Sequence, residues 1–315
     1  MKNKRQNLKT QLSKNKNIKQ MNNKFNVLNA IGNTPLIKIK NIYAKLESVN
    51  PSGSIKDRVA LEIIEAAERA GQLKKGYTIV ESSSGNTGIS LSMVGAVKGY
   101  KVIITMPENM SKERKQMMKA FGAKLVLTSK SGSLREAIDK AEEIAARPKS
   151  FMARQFSNPN NIKAQEKTGK EILKEIGAVD AVVAGVGTGG TLMGITNVMR
   201  KVNPKVKMIA IEPEEAAVMF GGSEVKVKEH KIQGIGDGFI PQIMDMTKVD
   251  KVVTVKSKEA VDMSKKLAKN YGLLVGISAG ANMLIALRLS KKYKKIATVL
   301  PDRGERYLSM NLFKI

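Results

Sequence analysis

Four short stretches gather polar side chains and glycines where an apolar run gives way to a helical pattern. The first, Asn50-Pro-Ser-Gly-Ser-Ile-Lys-Asp-Arg58, puts Lys56 at the start of a helix expected over 57–70. There the positive end of the helix dipole disfavours the ammonium form and favours a neutral, nucleophilic amine. The plain alternative is a surface lysine beside the Asp57–Arg58 pair. The second, Glu81-Ser-Ser-Ser-Gly-Asn-Thr-Gly88, brings several hydroxyls, an amide and free backbone N–H groups to a helix N-terminus. Such a turn suits a carboxylate, against the alternative of an ordinary Ser/Asn-rich turn. The third, Gly185-Val-Gly-Thr-Gly-Gly-Thr191, has glycines that let the backbone approach closely and two threonine hydroxyls. Its successive N–H groups form a nest for a single phosphate. It is not a Walker loop, and it matches the dinucleotide-binding glycine spacing only in part. The fourth, Gly276-Ile-Ser-Ala-Gly-Ala281, offers Ser278 at another strand-to-helix turn, where a plain N-cap is the alternative.

Composition narrows the chemistry. The chain of 315 residues has no cysteine, so disulfides, Cys-ligated zinc and a Cys nucleophile are excluded. Its one histidine, His230, argues against a His-based metal site or a Ser-His-Asp triad. Lysine with a cofactor is the obvious candidate for covalent catalysis. The formal charge of +27 raises the question of nucleic acid. Residues 1–24 carry seven lysines and Arg5 with no acid, and read as a disordered basic tail, with Met21 as an alternative start. The remaining charge is scattered on helix faces, as at Lys258, Lys265, Lys266 and Lys269, and aromatics are only 4%. A solvated surface is expected, not a nucleic-acid or stacking platform. No apolar run reaches the ~18 residues of a membrane span and no secretory pattern opens the chain, so a cytoplasmic protein is expected.

The elements that must hold these loops alternate. Strands are expected at 79–80, 102–105, 125–128, 181–184, 208–211, 252–255, 273–275 and 297–300. Helices are expected at 57–70, 89–97, 111–121, 134–146, 161–176, 191–200, 257–270 and 279–290, with Gly71 as a stop for the first and Ser111 and Ser257 as N-caps. Met117 and Met118 read as core filling. The pattern implies parallel sheets with crossover helices in two α/β units that divide near residue 155. Ligands bind beyond the carboxyl ends of such strands, and all four loops are there.

These loops resemble the cysteine synthase (O-acetylserine sulfhydrylase) and cystathionine β-synthase family, from Ile31 to about Ser309. The likeness extends to Ile31-Gly-Asn-Thr-Pro-Leu36, Gln155-Phe-Ser-Asn-Pro159, Lys231-Ile-Gln-Gly-Ile-Gly236 and Leu300-Pro-Asp-Arg-Gly-Glu-Arg-Tyr307. It implies a tryptophan-synthase-β-like, fold-type II architecture: two open twisted, mostly parallel sheets with helices on both faces and the active site between them. It also implies a smaller mobile N-terminal unit over 41–155, and a larger unit made of 25–40 and 156–315 that holds the cofactor phosphate. The cofactor implied is pyridoxal 5′-phosphate, with Lys56 as its Schiff-base lysine and Asn86 on its phenolic oxygen. Gly187, Thr188, Gly189, Gly190 and Thr191 would hold the phosphate and Ser278 would meet the pyridine nitrogen. A hydroxyl there leaves the ring less electron-withdrawing than a charged partner would, which suits elimination of a good leaving group. Ser83, Ser84, Thr87 and Gln155 would take the substrate carboxylate, with Gly234 near its amine.

The implied reaction is formation of L-cysteine from O-acetyl-L-serine and sulfide through an aminoacrylate. Cystathionine β-synthase, cysteine desulfhydrase or lanthionine-forming activities are alternatives on the same scaffold, and a non-catalytic basic binding protein is the alternative of another class. The resemblance implies a homodimer and, in some members, a serine acetyltransferase partner. Two residues depart toward specificity. Asp237 in Gly236-Asp-Gly238 is either a turn residue or a carboxylate that biases the enzyme toward cysteine or homocysteine as substrate, through water or amine activation. Arg303 either binds an anionic leaving group or pairs with Glu305 or Asp302.

Overall fold

The computed structural model describes residues 26–129, 134–222 and 227–310. The basic tail expected over 1–24 lies outside them. Two sheets form. The larger has the order β1 (Leu36–Ile39), β2 (Ile42–Leu46), β10 (Ile296–Leu300), β7 (Ala181–Gly185), β8 (Lys207–Pro213), β9 (Lys251–Val255). Only its β1–β2 hairpin is antiparallel. The smaller, all parallel, has the order β5 (Lys124–Thr128), β4 (Lys101–Pro107), β3 (Thr78–Ser82), β6 (Ser150–Met152). In β10 every residue of Ile-Ala-Thr-Val-Leu is buried. This continuous apolar run suits a strand covered on both faces by helices.

The helices are α1 (Lys56–Arg69), α2 (Asn86–Lys98), α3 (Lys112–Ala120), α4 (Leu134–Ala145), α5 (Asn160–Ile176), α6 (Gly190–Val202), the single turn α7 (Val218–Gly221), α8 (Ser257–Tyr271) and α9 (Ile277–Leu289). α2 and α9 are buried from Thr87 to Gly95 and from Ile277 to Met283, so both lack a polar stripe. Ile79, Ile89, Leu91, Ile104, Met106 and Met118 form the heart of the small unit's core, which confirms Met118 as core filling, with Met117 packed on its edge.

Three expectations need correction. Residues 273–275 form no sheet strand. β10 already has neighbours on both edges, so this run serves as the connector from α8 to α9 and makes only an isolated bridge, Val275 to Arg303. Ser257 is the first residue of α8, not its cap. Its hydroxyl accepts the Lys231 N–H at 3.0 Å and Lys256 occupies the cap position. Residues 42–46 are not part of the small unit, because β2 pairs with β1 and β10 in the large sheet. The strands β1, β2 and β6 were not expected at all. Ser111 does cap α3, accepting the Arg114 N–H, and Gly71 at φ +69° follows the end of α1.

Candidate active site

A cleft of about 780 Å³ opens between the two sheets at the carboxyl ends of their strands. Its wall takes Ser82 to Thr87 after β3, Gln155 after β6, Gly187 to Gly189 after β7, and Pro301 after β10. Lys56 enters from the N-terminus of α1 and Ser278 from the second position of α9. The chain crosses between sheets several times, and each crossing leaves a loop at the same gap.

Lys56 Nζ lies 3.4 Å from Thr188 Oγ1, so the two loops that are 132 residues apart in sequence adjoin. Burial of the amine lowers its pKa from 10.5 to about 8, and the Asp237 carboxylate opposes that shift. Crowding by the cleft walls, which displaces part of its water, raises the Asp237 carboxyl, against Lys56 and His230, which lower it. Asp237 sits on the loop of Gly234 and Gly236, and its side chain is open to the cleft. Asn161 donates to Thr188 Oγ1 at 3.0 Å and to the Gln155 carbonyl at 2.9 Å, fixing the threonine from behind. Gly189 has φ +82°, a left-handed conformation that favours glycine. Gly190 and Thr191 then open α6. Gly187, Thr188, Gly189 and Thr191 line the cleft, and Gly190 lies just behind them. A helix N-terminus, a glycine-shaped backbone and hydroxyls facing one space can hold a phosphate.

On the opposite wall Ser83 Oγ accepts the N–H groups of Gly85 and Gly88, at 3.3 and 3.0 Å, and so shapes the entry to α2. Thr87 donates to Gln155 Oε1 at 2.6 Å, and Gln155 Nε2 donates to the Ser82 carbonyl at 3.1 Å. The Gln155 amide therefore braces the loop here. Ser84 faces the cleft beside it. Asn86 also lines the cleft, with its amide spanned by two groups from the C-terminal segment. It donates to Asp302 Oδ2 at 2.7 Å, and Arg306 donates to its carbonyl. Tyr307 donates to the same Asp302 oxygen at 2.7 Å.

Arg303 does not line the cleft, and neither sequence reading of it holds. It is exposed, and its Nε donates to the Ser48 carbonyl at 2.8 Å, not to Glu305 or Asp302. Sequence reasoning also missed Asn161, Asp302, Arg306, Arg114 and Glu81. Glu81, at the end of β3, was within a quoted motif, and its isolated charge in an apolar strand was the available signal.

Glu81 is 2% exposed and accepts the N–H groups of Ser82 at 3.0 Å and Gln155 at 3.2 Å. Burial outweighs these bonds and raises its pKa from 4.5 to about 7. The native state therefore binds this proton more tightly than the unfolded chain. The associated stability is present below pH 4.5 and is lost as pH rises through about 7. The shift corresponds to roughly 3 kcal/mol. Glu81→Gln removes the titration and faces an amide toward N–H donors. The variant should melt lower overall, yet with a flatter pH dependence of Tm between pH 4.5 and 7.5. Thermal melts across that range check it, and an unchanged slope would refute it.

Among the described residues, no group of three or more His, Cys, Asp or Glu could hold a metal ion, and no helix is long and apolar enough to cross a membrane.

Comparison with known proteins adds independent findings. A family model described as pyridoxal-phosphate dependent enzyme matches residues 27–302. The cysteine synthase of Staphylococcus aureus (strain Mu50 / ATCC 700699) is 46% identical over 302 residues, covering 91% of this chain and 96% of the relative. The crystal structure of cysteine synthase from Entamoeba histolytica superposes with TM-score 0.87 at 41% identity, covering 92% of this chain and 90% of that one. A hydrogen sulfide-producing enzyme from Fusobacterium nucleatum superposes with TM-score 0.86 at 42% identity, covering 91% and 90%.

Proposed function

This chain belongs to the pyridoxal-phosphate dependent enzyme family, and from that premise we propose that it forms L-cysteine from O-acetyl-L-serine and sulfide. The observation that carries the reading is one juxtaposition. A lysine amine with a depressed pKa faces the hydroxyl of a glycine–threonine phosphate cradle across 3.4 Å.

The residues fit pyridoxal phosphate. Gly187, Thr188, Gly189, Gly190 and Thr191 would hold its phosphate, Lys56 its aldehyde carbon, Asn86 its phenolic oxygen and Ser278 its ring nitrogen. When bound, it supplies an electron sink for charge at the substrate's α-carbon. The chain's own groups supply the rest. The backbone N–H groups of Asn86 and Thr87, at the start of α2, suit the substrate carboxylate, with Ser83, Ser84 and Gln155 shaping the turn. Gly234 would border the amine. The Lys56 amine, when free, would take the α-proton as acetate leaves the β-carbon. Sulfide then bonds to the β-carbon and Lys56 returns the proton to the α-carbon. A pKa near 8 keeps a useful fraction of this amine neutral near neutral pH. Closure of the four-stranded unit over the bound carboxylate would exclude water. A homodimer, a serine acetyltransferase contact and a cytoplasmic location belong to the same proposal, supported by the family resemblance.

The test offers the purified enzyme O-acetylserine, O-phosphoserine, serine and cysteine in turn, each with sulfide or homocysteine. Cysteine should form fastest from O-acetylserine and sulfide. Faster cystathionine formation, or salt-dependent DNA binding by a colourless inactive protein, would overturn the reading.

Asp237 favours a second activity on the same site. A carboxylate open to the cleft and near Lys56 can accept a proton from an incoming thiol or water. The reaction it suits is release of sulfide from cysteine. Asp237→Asn should lower sulfide release from cysteine by at least about tenfold. Cysteine synthesis should stay within about threefold of the parent, since sulfide needs no base once ionised. Equal loss of both activities would count against this role.

A further inference from the structure

Arg114 has no place in the chemistry above, and its surroundings are unusual for a cation. It lies on α3, a mostly polar helix, one turn before Met118 and on the same inward face. The residue is 3% exposed and its Nε is buried with no hydrogen-bond partner among the described residues. No ion pair to its guanidinium forms among those residues. Its one close partner is the Tyr307 ring, 5.2 Å from the guanidinium carbon. The acids nearby make their hydrogen bonds elsewhere: Glu113 accepts from Ser309, Asp302 Oδ2 from Asn86 and Tyr307, and Glu81 from the Ser82 and Gln155 backbone. Glu113 acts on Arg114 through space only, and the buried Asp302 Oδ1 meets no donor among the described residues. Arg306, close enough to bear on Arg114, carries the same sign of charge.

A desolvated guanidinium with no acceptor is unfavourable, and folded proteins rarely keep one. Its position indicates what would satisfy it. The group lines the cleft beside Ser83, Ser84, Gly85, Asn86 and Thr87. Cζ and Nη1 both lie 3.6 Å from where a Cβ on Gly85 would sit, and Nε lies 3.9 Å away, so the guanidinium flanks the Gly85 turn. The same turn delivers the backbone N–H groups of Asn86 and Thr87 at the start of α2. A helix N-terminus and a fixed cation with free donors thus meet at one place.

We propose that Arg114 is the cationic member of the carboxylate site at the Gly85 turn, where it takes the α-carboxylate of the amino-acid substrate. The inference deepens the proposed function and rests on it. The sequence reading gave this task to hydroxyls, an amide and backbone N–H groups, with no cation among them.

The test separates the carboxylate from everything else in the ligand. The holoenzyme is titrated with L-alanine, which has a carboxylate and no leaving group, and with L-alaninamide, which has none. Binding is followed by calorimetry and by the cofactor's visible spectrum. Arg114→Gln should weaken alanine by at least about tenfold and alaninamide by less than about twofold. KM for O-acetylserine should rise in step with the alanine loss, while kcat stays within about threefold. Arg114→Lys should recover part of the alanine affinity, because it restores charge without the planar fork. If the Gln variant does not fold, the Lys variant decides alone. It should bind alanine several-fold more weakly than the parent and leave alaninamide unaltered. Equal weakening of both ligands, or of neither, would reduce Arg114 to a packing partner of Tyr307. Failure of the parent enzyme to bind either ligand would instead remove the proposed function, and the subsite with it.

Discussion

Lys56→Ala is expected to abolish turnover, lowering kcat by at least roughly a thousandfold, while the fold survives. General-base catalysis alone is worth about 10² to 10⁴. The same variant also loses the covalent anchor for the cofactor. Lys228 also lines the cleft, but the side chains that meet Thr188 Oγ1 are those of Lys56 and Asn161. The fold should tolerate the change because Lys56 is the first residue of α1 and its side chain ends in the cleft. Alanine is a favourable helix residue, and its introduction removes an amine that burial had pushed down to about 8. The melting temperature should therefore not fall. Borohydride gives a second readout independent of rate. It should fix the cofactor's mass onto the parent protein, at the peptide bearing Lys56, and leave the variant unlabelled. A variant turning over near the parent rate, or labelled equally, would require another nucleophile.

The chemistry-bearing loops were legible because each combines residue types that ordinary turns rarely combine. Three hydroxyls, glycine, asparagine and threonine in succession before an apolar helix have few structural uses. The same holds for Gly187-Thr-Gly-Gly-Thr191 after Ala181–Gly185. The β1–β2 hairpin was not legible, because β1 is only four residues long and Lys45 puts a charge inside the buried part of β2. Lys45 is fully buried and bonds to the Thr34 carbonyl and Glu175, with Glu171 at 3.1 Å. Its carboxylate partners arrive on α5, some 130 residues later. Local pattern cannot announce a strand whose polar residue is neutralised by so distant a segment.

Arg114 was hidden for the complementary reason. In Lys-Glu-Arg-Lys-Gln-Met-Met-Lys-Ala the methionines read as core filling and Arg114 as one more solvated charge, and only the packing of α3 shows that Arg114 is buried on the face of Met118. Arg303 misled in the opposite direction. It is three residues past β10, beside motif residues, yet its Nε turns away from the cleft to the Ser48 carbonyl. Residue type thus located the loops, while partner identity depended on crossings between the two sheets.

Gly187→Ala is expected to impair cofactor retention more than any hydroxyl deletion in the cradle. A Cβ at this position would meet the Gly234 carbonyl oxygen at 2.3 Å and its carbon at 3.2 Å. Both obstacles are backbone, so no rotamer change relieves them. Nor can the Gly234 segment withdraw freely. The Gly236 N–H donates to the Val186 carbonyl at 3.0 Å, and Ile232 and Ile235 are anchored in the large unit's core. The strain must therefore open the cradle itself, moving the N–H groups that would hold the phosphate. Cofactor affinity should fall by at least about tenfold, and overpacking should lower the stability of the cofactor-free protein by roughly 1–3 kcal/mol. Thr191→Val isolates the alternative cause, since it deletes one hydroxyl and keeps the backbone in place. Its loss should be roughly tenfold, with little change in Tm, the low end of the about 1.5–3 kcal/mol that one hydrogen bond to a charged group contributes. Fluorescence titration of stripped protein with pyridoxal phosphate, alongside melts of the same samples, checks both variants. If Gly187→Ala bound the cofactor as tightly as the parent, the phosphate could not rest on the Gly187–Thr191 backbone. The adjacency of Lys56 and Thr188 would then have to be explained as packing alone.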